Sequence, residues 1–537
     1  MNINFRLFIT LFAFLSFTAF GQSPQVKTEP NLTESIHRRG AKNAEQAQRY
    51  WPKLCETSAS LCASAVEKTL GGAVSESLLN CQINHISQLN RSLTISCSVE
   101  AFPVGKTAIN FVDQFAGVDR LSERVHSLKI TTANGEALPL EIRGNGLYLF
   151  SAKPGLVKIS YDMKLARALD PSQFALISTI GTDAAVLMMA DLLPRVCSGE
   201  QGCEVSNPTR LKIAAPAGWQ LATTEREGED VFDIANRSRA VFFLARFREQ
   251  TTKIGQMNLR VAVAGEWNFT DEEIFPLAAA IARQQAAMIG SREQGDFLVT
   301  IAPFPQPLTG LRSSAVTIGR TVVLMLNPNN NSDQTLKHFR RHLAHEMFHF
   351  YLPNAFRIRE NFDWFWEGFT RYLALVTLAE LRLIDLNEYL DAINGEYEAY
   401  LFNPSRVQLS LVAASPDKFA SAASYDLVYR KGMLVAALYD LELRWQSRSK
   451  LNLADVMKAL YANSDREIGN REVLKELNKL GDFTRLIRED IEGTREIDLA
   501  ERVKSYGLRI ELRGRARLTT ANKLSERQRI MLSGLAK

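Results

Sequence analysis

Apolar residues recur along this chain in two rhythms, and the change between them divides it. From about residue 91 to 266 they alternate with polar residues in short runs, at 127–132, 138–143, 156–161, 210–215, 240–246 and 259–264. Asn134-Gly135 and Asn145-Gly146 are dipeptides that supply the positive φ of a two-residue hairpin. This stretch is expected to form a β-rich domain. Beyond it the period becomes helical. Thr270-Asp-Glu-Glu273 has capping-box spacing and opens a helix to about 289. Two apolar strands follow, 297–302 and 321–326, then a loop at 327–333 and a helix over 335–350. On that helix Leu336, Phe339, Leu343, Met347 and Phe350 make an apolar stripe at spacings of 3, 4, 4 and 3. His338, His342, His345 and His349 make a second stripe, about 130° away on the helical wheel. Pro353 stops the helix. Helical patterns then run through 367–383 and 433–445 to about 510.

The expected fold class is therefore α+β and multidomain. A β-rich domain over 91–266 precedes a largely helical domain over 267–510, with a short tail at 511–537. Residues 22–90 are polar and partly helical in pattern. Residues 1–21 read as an export signal: Arg6 is the only charge, Leu7 to Phe20 is nearly all apolar, and Ala19-Phe-Gly21 fits a cleavage site. No later apolar run approaches 18 residues, so no span is expected in the mature chain.

Composition narrows the classes. Hydrophobic residues make up 46% and charged residues 23%, as in ordinary globular proteins. A net charge of +5 spread over 537 residues, without a concentrated basic patch, argues against a nucleic-acid partner. Six cysteines suit an exported protein with disulfides. Cys197 and Cys203 are close enough to bridge, and Cys55/Cys62 and Cys81/Cys97 are the simplest remaining pairs.

The chemistry is concentrated in His345-Glu-Met-Phe-His349. Histidines four apart on a helix lie about 40° apart around its axis, so both imidazoles reach one metal ion. Zinc suits such a site, one ion per chain, with Glu346 placed to take a proton from water. Glu367, in Trp364-Phe-Trp-Glu-Gly-Phe, can supply the third ligand from a second helix. His338 and His342 have no flanking carboxylate and are expected to be ordinary polar positions. Ser424-Tyr-Asp-Leu-Val-Tyr429-Arg-Lys-Gly432 leads into an apolar helix. By composition Tyr429 is one tyrosine among thirteen.

These motifs, in this order, resemble the gluzincin metallopeptidases, whose catalytic domain is thermolysin-like. The closer likeness is to the glycyl aminopeptidase family, the more distant to the aminopeptidase N family. His-Glu-x-Phe-His, Phe365-Trp-Glu-Gly-Phe-Thr-Arg-Tyr372 and Tyr429-Arg-Lys-Gly-Met-Leu-Val-Ala-Ala-Leu-Tyr439 carry the resemblance. It implies a zinc peptidase acting on peptide or protein substrates. In it His345, His349 and Glu367 bind zinc, Glu346 is the general base, and Tyr429 stabilises the oxyanion, with Tyr425 as its alternate. Those families carry a glutamate in a glycine-rich segment upstream of the zinc helix, where the substrate amine binds. Here Thr309-Gly-Leu-Arg-Ser-Ser-Ala-Val-Thr-Ile-Gly319 contains no acid, and Arg312 and Arg320 bracket the edge strand expected within it. That departure predicts an enzyme that does not depend on a free N-terminus. The rival expectation is a non-catalytic, zinc-containing peptide-binding or envelope protein, for which Glu346 would be superfluous.

Overall fold

A computed structural model describes residues 77–535, apart from 103–104, 167–169, 201–202, 204–206, 229–230, 328–331 and 514. The expected signal, most of segment 22–90 and the Cys55/Cys62 pair lie outside the described residues.

Three sheets build the β-rich part. The largest has seven strands, with Leu79–Ser87 lying between Thr209–Ile213 and Ser92–Ala101. Strand 79–87 begins before the expected boundary at 91. Its pattern is half hidden: Leu79, Cys81, Ile83 and Ile86 are buried, but Asn80, Gln82, Asn84 and His85 fill the gaps. Asn145-Gly146 does turn a hairpin, joining Glu141–Gly144 to Leu147–Phe150. Asn134-Gly135 also turns the chain back, closing an antiparallel bridge between Thr131 and Ala137, while on its other side Val125–Thr132 pairs with Gly155–Lys164. Cys81 is bonded to Cys97 and Cys197 to Cys203.

A five-stranded sheet positions the chemistry. Its strands are β1 (Phe247–Ile254), β2 (Gln256–Ala264), β3 (Gln294–Pro303), β4 (Ser313–Ile318) and β5 (Thr321–Leu326), in the order β1-β2-β3-β5-β4. β2, β3 and β5 run parallel, and β4 closes one edge antiparallel to β5. The expected boundary near 266 thus falls inside this unit, because β1 and β2 join the strands beyond 290 and not the sheets before them. Both faces are covered, so the inner strands read as near-continuous apolar runs. Val261, Val299, Ile301 and Leu324 face a helical core, while Ala262, Leu298, Val323 and Met325 face Val186 and Phe243 of a four-stranded β-domain sheet.

The helices on the first face are α1 (Asp271–Ile289), α2 (Ser332–Phe348), α3 (Asp363–Glu380) and α4 (Gly432–Gln446). The Thr270–Glu273 capping box forms. The apolar stripe of α2 is the buried one: Phe339, Leu343 and Met347 are all 0% exposed. The last residues of the chain are not a separate tail. The hairpin Leu508–Arg513/Arg515–Thr520 and the helix Glu526–Ser533 add Leu518, Met531, Leu532 and Leu535 to the same helical core. Among the described residues no helix is long and apolar enough to cross a membrane.

Candidate metal centre and its cavity

α2 and α3 pack side by side and carry the candidate ligand set, His345, His349 and Glu367. Leu343 and Met347 anchor one side of α2 in the core, which turns His345 and His349 toward α3. Phe365 and Phe369 are fully buried on α3, and Glu367 between them points back at the histidines. The two Nε2 atoms lie 3.2 Å apart, and Glu367 Oε2 lies 3.5 Å from that of His345 and 3.3 Å from that of His349. Tetrahedral zinc with bonds of about 2.0–2.1 Å spaces its ligand atoms about 3.3–3.4 Å apart, so the residues present fit the ion. His349 Nδ1–H donates to the Leu352 carbonyl at 2.7 Å, which leaves its Nε2 lone pair facing the other two donors. Among the described residues this is the only group of three or more His, Cys, Asp or Glu placed to hold a metal.

Glu346, one residue along, is buried. The Thr317 hydroxyl, on β4, lies 2.8 Å from Glu346 Oε2 and 2.7 Å from its carbonyl oxygen, and its single proton is shared between these two acceptors. Ser313, at the start of the same strand, sits 2.7 Å from His338 Nε2 and 3.4 Å from His342 Nε2. His338 and His342 are therefore half-buried ties between α2 and β4. Burial, then His338, pushes His342 down to about 3, so it stays neutral.

Tyr429 reaches the centre through a second packing event. Gly368 follows Glu367 on α3, and Gly432 opens α4. A Cβ on Gly368 would stand 2.5 Å from the Gly432 Cα. Only a pair of glycines lets the backbones cross this closely. The crossing brings Tyr429, three residues before Gly432, against the candidate ligands: its ring centroid is 6.4 Å from that of His345. The tyrosine rides on a single turn of π-helix, Leu427–Lys431. Burial, then the charge of Glu367, pushes its hydroxyl well above the ordinary tyrosine value, so it stays protonated. The Tyr425 ring lies 4.5 Å from that of Tyr429 and is 40% exposed.

Thr317, Glu346, His349, Glu367, Tyr425 and Tyr429 line a cavity of about 470 Å³. β4 forms one side, and it is an edge strand. The Asn327 N–H donates to the Arg312 carbonyl at 3.3 Å, which sets residues 314, 316 and 318 in hydrogen-bonding register with β5. The N–H and C=O groups of Ala315 and Thr317 are left on the open edge. The β-rich part supplies the opposing wall through Phe115–Gly117 and Asp170–Gln173. Gly117 packs on the Phe419 ring, and Ser314 Oγ donates to the Ser172 carbonyl at 2.7 Å.

Of the five residues expected at the site, His349, Glu367, Glu346 and Tyr429 line the cavity, and His345 stands beside it, grouped with His349 and Glu367. The sequence reading gave no role to Thr317, Asp170 or Lys418. Asp170 changes the picture of the amine site. Arg312 is exposed and does not line the cavity, whereas Asp170 does, from the β-rich part. The Ser172 hydroxyl and N–H hold the Asp170 carboxyl below its usual range, and Arg312 adds to this. The absence of an acid from 309–319 is therefore a local fact, and the cavity as a whole has an exposed carboxylate.

Comparisons with known proteins agree with this geometry. Residues 338–435 match the model of the M61 glycyl aminopeptidase family. The structure is similar to that of an aminopeptidase N family protein from Idiomarina loihiensis, with a TM-score of 0.67 at 18% identity over 81% of this chain and 79% of that one. It is also similar to an M1 zinc metallopeptidase from Deinococcus radiodurans, with a TM-score of 0.50 at 13% identity over 79% of this chain and 94% of that one. No curated protein matches the sequence. The chain thus resembles gluzincin metallopeptidases in sequence motif and in fold.

Proposed function

We propose that this protein is a zinc-dependent, aminopeptidase-like peptidase that hydrolyses short peptides. The observation that carries the reading is the His345/His349/Glu367 group, able to hold a metal, beside one cavity that His349 and Glu367 line together with a buried carboxylate, a protonated tyrosine and an open strand edge. Bound zinc supplies Lewis acidity, which polarises a carbonyl and brings the pKa of water to about 7. His345, His349 and Glu367 hold the ion. An extended peptide adds to the free edge of β4 through the backbone of Ala315 and Thr317. Glu346 takes a proton from the attacking water and returns it to the leaving amine, a role worth about 10²–10⁴-fold. Thr317 fixes the Glu346 carboxylate for that transfer. The Tyr429 hydroxyl donates to the developing oxyanion, worth about 10²–10³-fold in comparable sites. The wall from the β-rich part narrows the cavity at Phe419, which favours short peptides over folded chains. Asp170 on that wall suits a substrate amine, a charge-assisted contact stronger than a neutral hydrogen bond. The two disulfides support an exported protein.

The test compares a free-amine tripeptide with its acetylated form, on the zinc-loaded wild type and on Glu346→Gln. The wild type is expected to cut the free-amine peptide faster. Glu346→Gln should keep its zinc and lose at least about 10²-fold in turnover. Equal rates on both peptides would remove the aminopeptidase-like part of the proposal. No cleavage of either, with zinc bound, would favour the peptide-binding alternative.

A further inference from the structure

Lys418 is a buried cation beside the metal centre that neither the base nor the oxyanion donor requires. It comes from the turn Ser415–Ala420 and is 9% exposed. Its Nζ lies 2.7 Å from Glu367 Oε1 and 3.1 Å from Asp363 Oδ2. Asp363 and Glu367 stand one turn apart on α3, so their carboxylates are neighbours. Asp363 is 2% exposed, and water cannot screen the pair. A cation between them offsets their repulsion. The same contact divides the two oxygens of Glu367. Oε2 faces His345 and His349, and Oε1 is taken by Lys418.

We propose that Lys418 is a positioning residue of the metal centre: by engaging Oε1 of Glu367 and bridging to Asp363, it holds that ligand in single-oxygen presentation to the cation. This rests on the metal reading given above, and it goes beyond it because it assigns a role to a residue outside every motif of the sequence. The turn that carries Lys418 also carries Phe419, on which Gly117 of the β-rich part packs. The ligand is thus braced from outside its own helix pair. Loss of such an outer partner costs about 10–100-fold in metal affinity.

The experiment measures zinc affinity of the full chain by chelator competition, with the melting temperature of the metal-free protein as a second readout. Lys418→Met is expected to bind zinc about 10–100-fold more weakly than wild type. Lys418→Arg keeps a cation between the carboxylates and should recover most of that loss. A merely structural lysine would lower the metal-free melting temperature and leave zinc affinity where it was. Lys418→Met leaves the buried Asp363 carboxylate without a countercharge, held only by the Asn361 amide at 3.4 Å, and can prevent folding. The double variant Lys418→Met/Asp363→Asn removes the stranded charge and should fold with the same loss of affinity. Wild-type affinity in either folded variant overturns the proposal. A wild-type chain that takes up no zinc overturns the metal reading itself, a result distinct from the first.

Discussion

Thr317 shows how much a single hydroxyl can carry. It links the edge strand that would hold substrate to the carboxylate that would act on it, through contacts of 2.8 and 2.7 Å to Glu346. Valine has nearly the same shape and no donor. Thr317→Val is expected to leave zinc binding and fold intact, because neither ligand nor core contact changes. It should lower kcat by roughly 10–100-fold, since the base loses its fixed orientation and misplacement by about 1 Å costs that much. Steady-state kinetics beside a zinc titration would check this. An unchanged kcat would mean that Glu346 is oriented by something else. The contrast with His338 and His342 is instructive. They share the histidine stripe with the ligands, yet their partner is Ser313 and their role is to tie α2 to β4.

At the scale of elements, the crossing of α3 and α4 at Gly368 and Gly432 decides where Tyr429 stands. A Cβ on Gly432 would meet the Trp364 carbonyl at 2.8 Å and Gly368 Cα at 2.9 Å, both of them backbone. Backbone cannot swing aside as a side chain can, so the helices would have to separate. Gly432→Ala is expected to cost about 1–3 kcal/mol or more, as overpacking does, and to lower turnover by drawing Tyr429 away from Glu367. Gly395, inside the helix Leu386–Leu401, has nothing within 4 Å of its Cβ position. Gly395→Ala should therefore be neutral or stabilising by up to about 1 kcal/mol. Denaturant midpoints of the two variants give the comparison, and equal midpoints would contradict it.

At the scale of the molecule, the β-rich part and the helical core meet through the five-stranded sheet, and their seam carries charge. Glu225, half-buried, lines a second cavity of about 250 Å³ that shares Arg239, Gly319 and Asn354 with the first. Burial pushes its carboxyl from 4.5 up to about 7, against the opposing pull of Arg239. Between those values the folded chain keeps a proton that the unfolded chain has released. Stability therefore falls as pH rises through the window. Glu225→Gln removes that slope. The variant should match wild type near pH 4 and exceed it at pH 8, by at most about 3 kcal/mol at 1.36 kcal/mol per unit. Melting temperatures across pH would show the two curves diverging above about pH 5, and parallel curves would count against the assignment.

The sequence alone determined whatever depends on residues a few positions apart. The His345/His349 pair, the buried stripe of α2, the Thr270 capping box and the Asn145-Gly146 hairpin all follow from local geometry, because helix and turn repeat within seven residues. Glu367 was legible as a carboxylate on a following helix that could complete the ligand set, and Tyr429 only through the motif it shares with the resembling families; the glycines beside them, Gly368 and Gly432, are where two helices touch. Only the tertiary structure decided the rest. Thr317 meets Glu346 across 29 positions and Lys418 meets Glu367 across 51, separations that no spacing rule encodes. Strand 79–87 pairs with 209–213, and β1 and β2 join the sheet that follows them, because alternation marks a strand without naming its neighbour. Asp170 reaches the cavity from the β-rich part for the same reason: chemistry at a site is set by which surfaces pack together, and packing is a property of the whole chain.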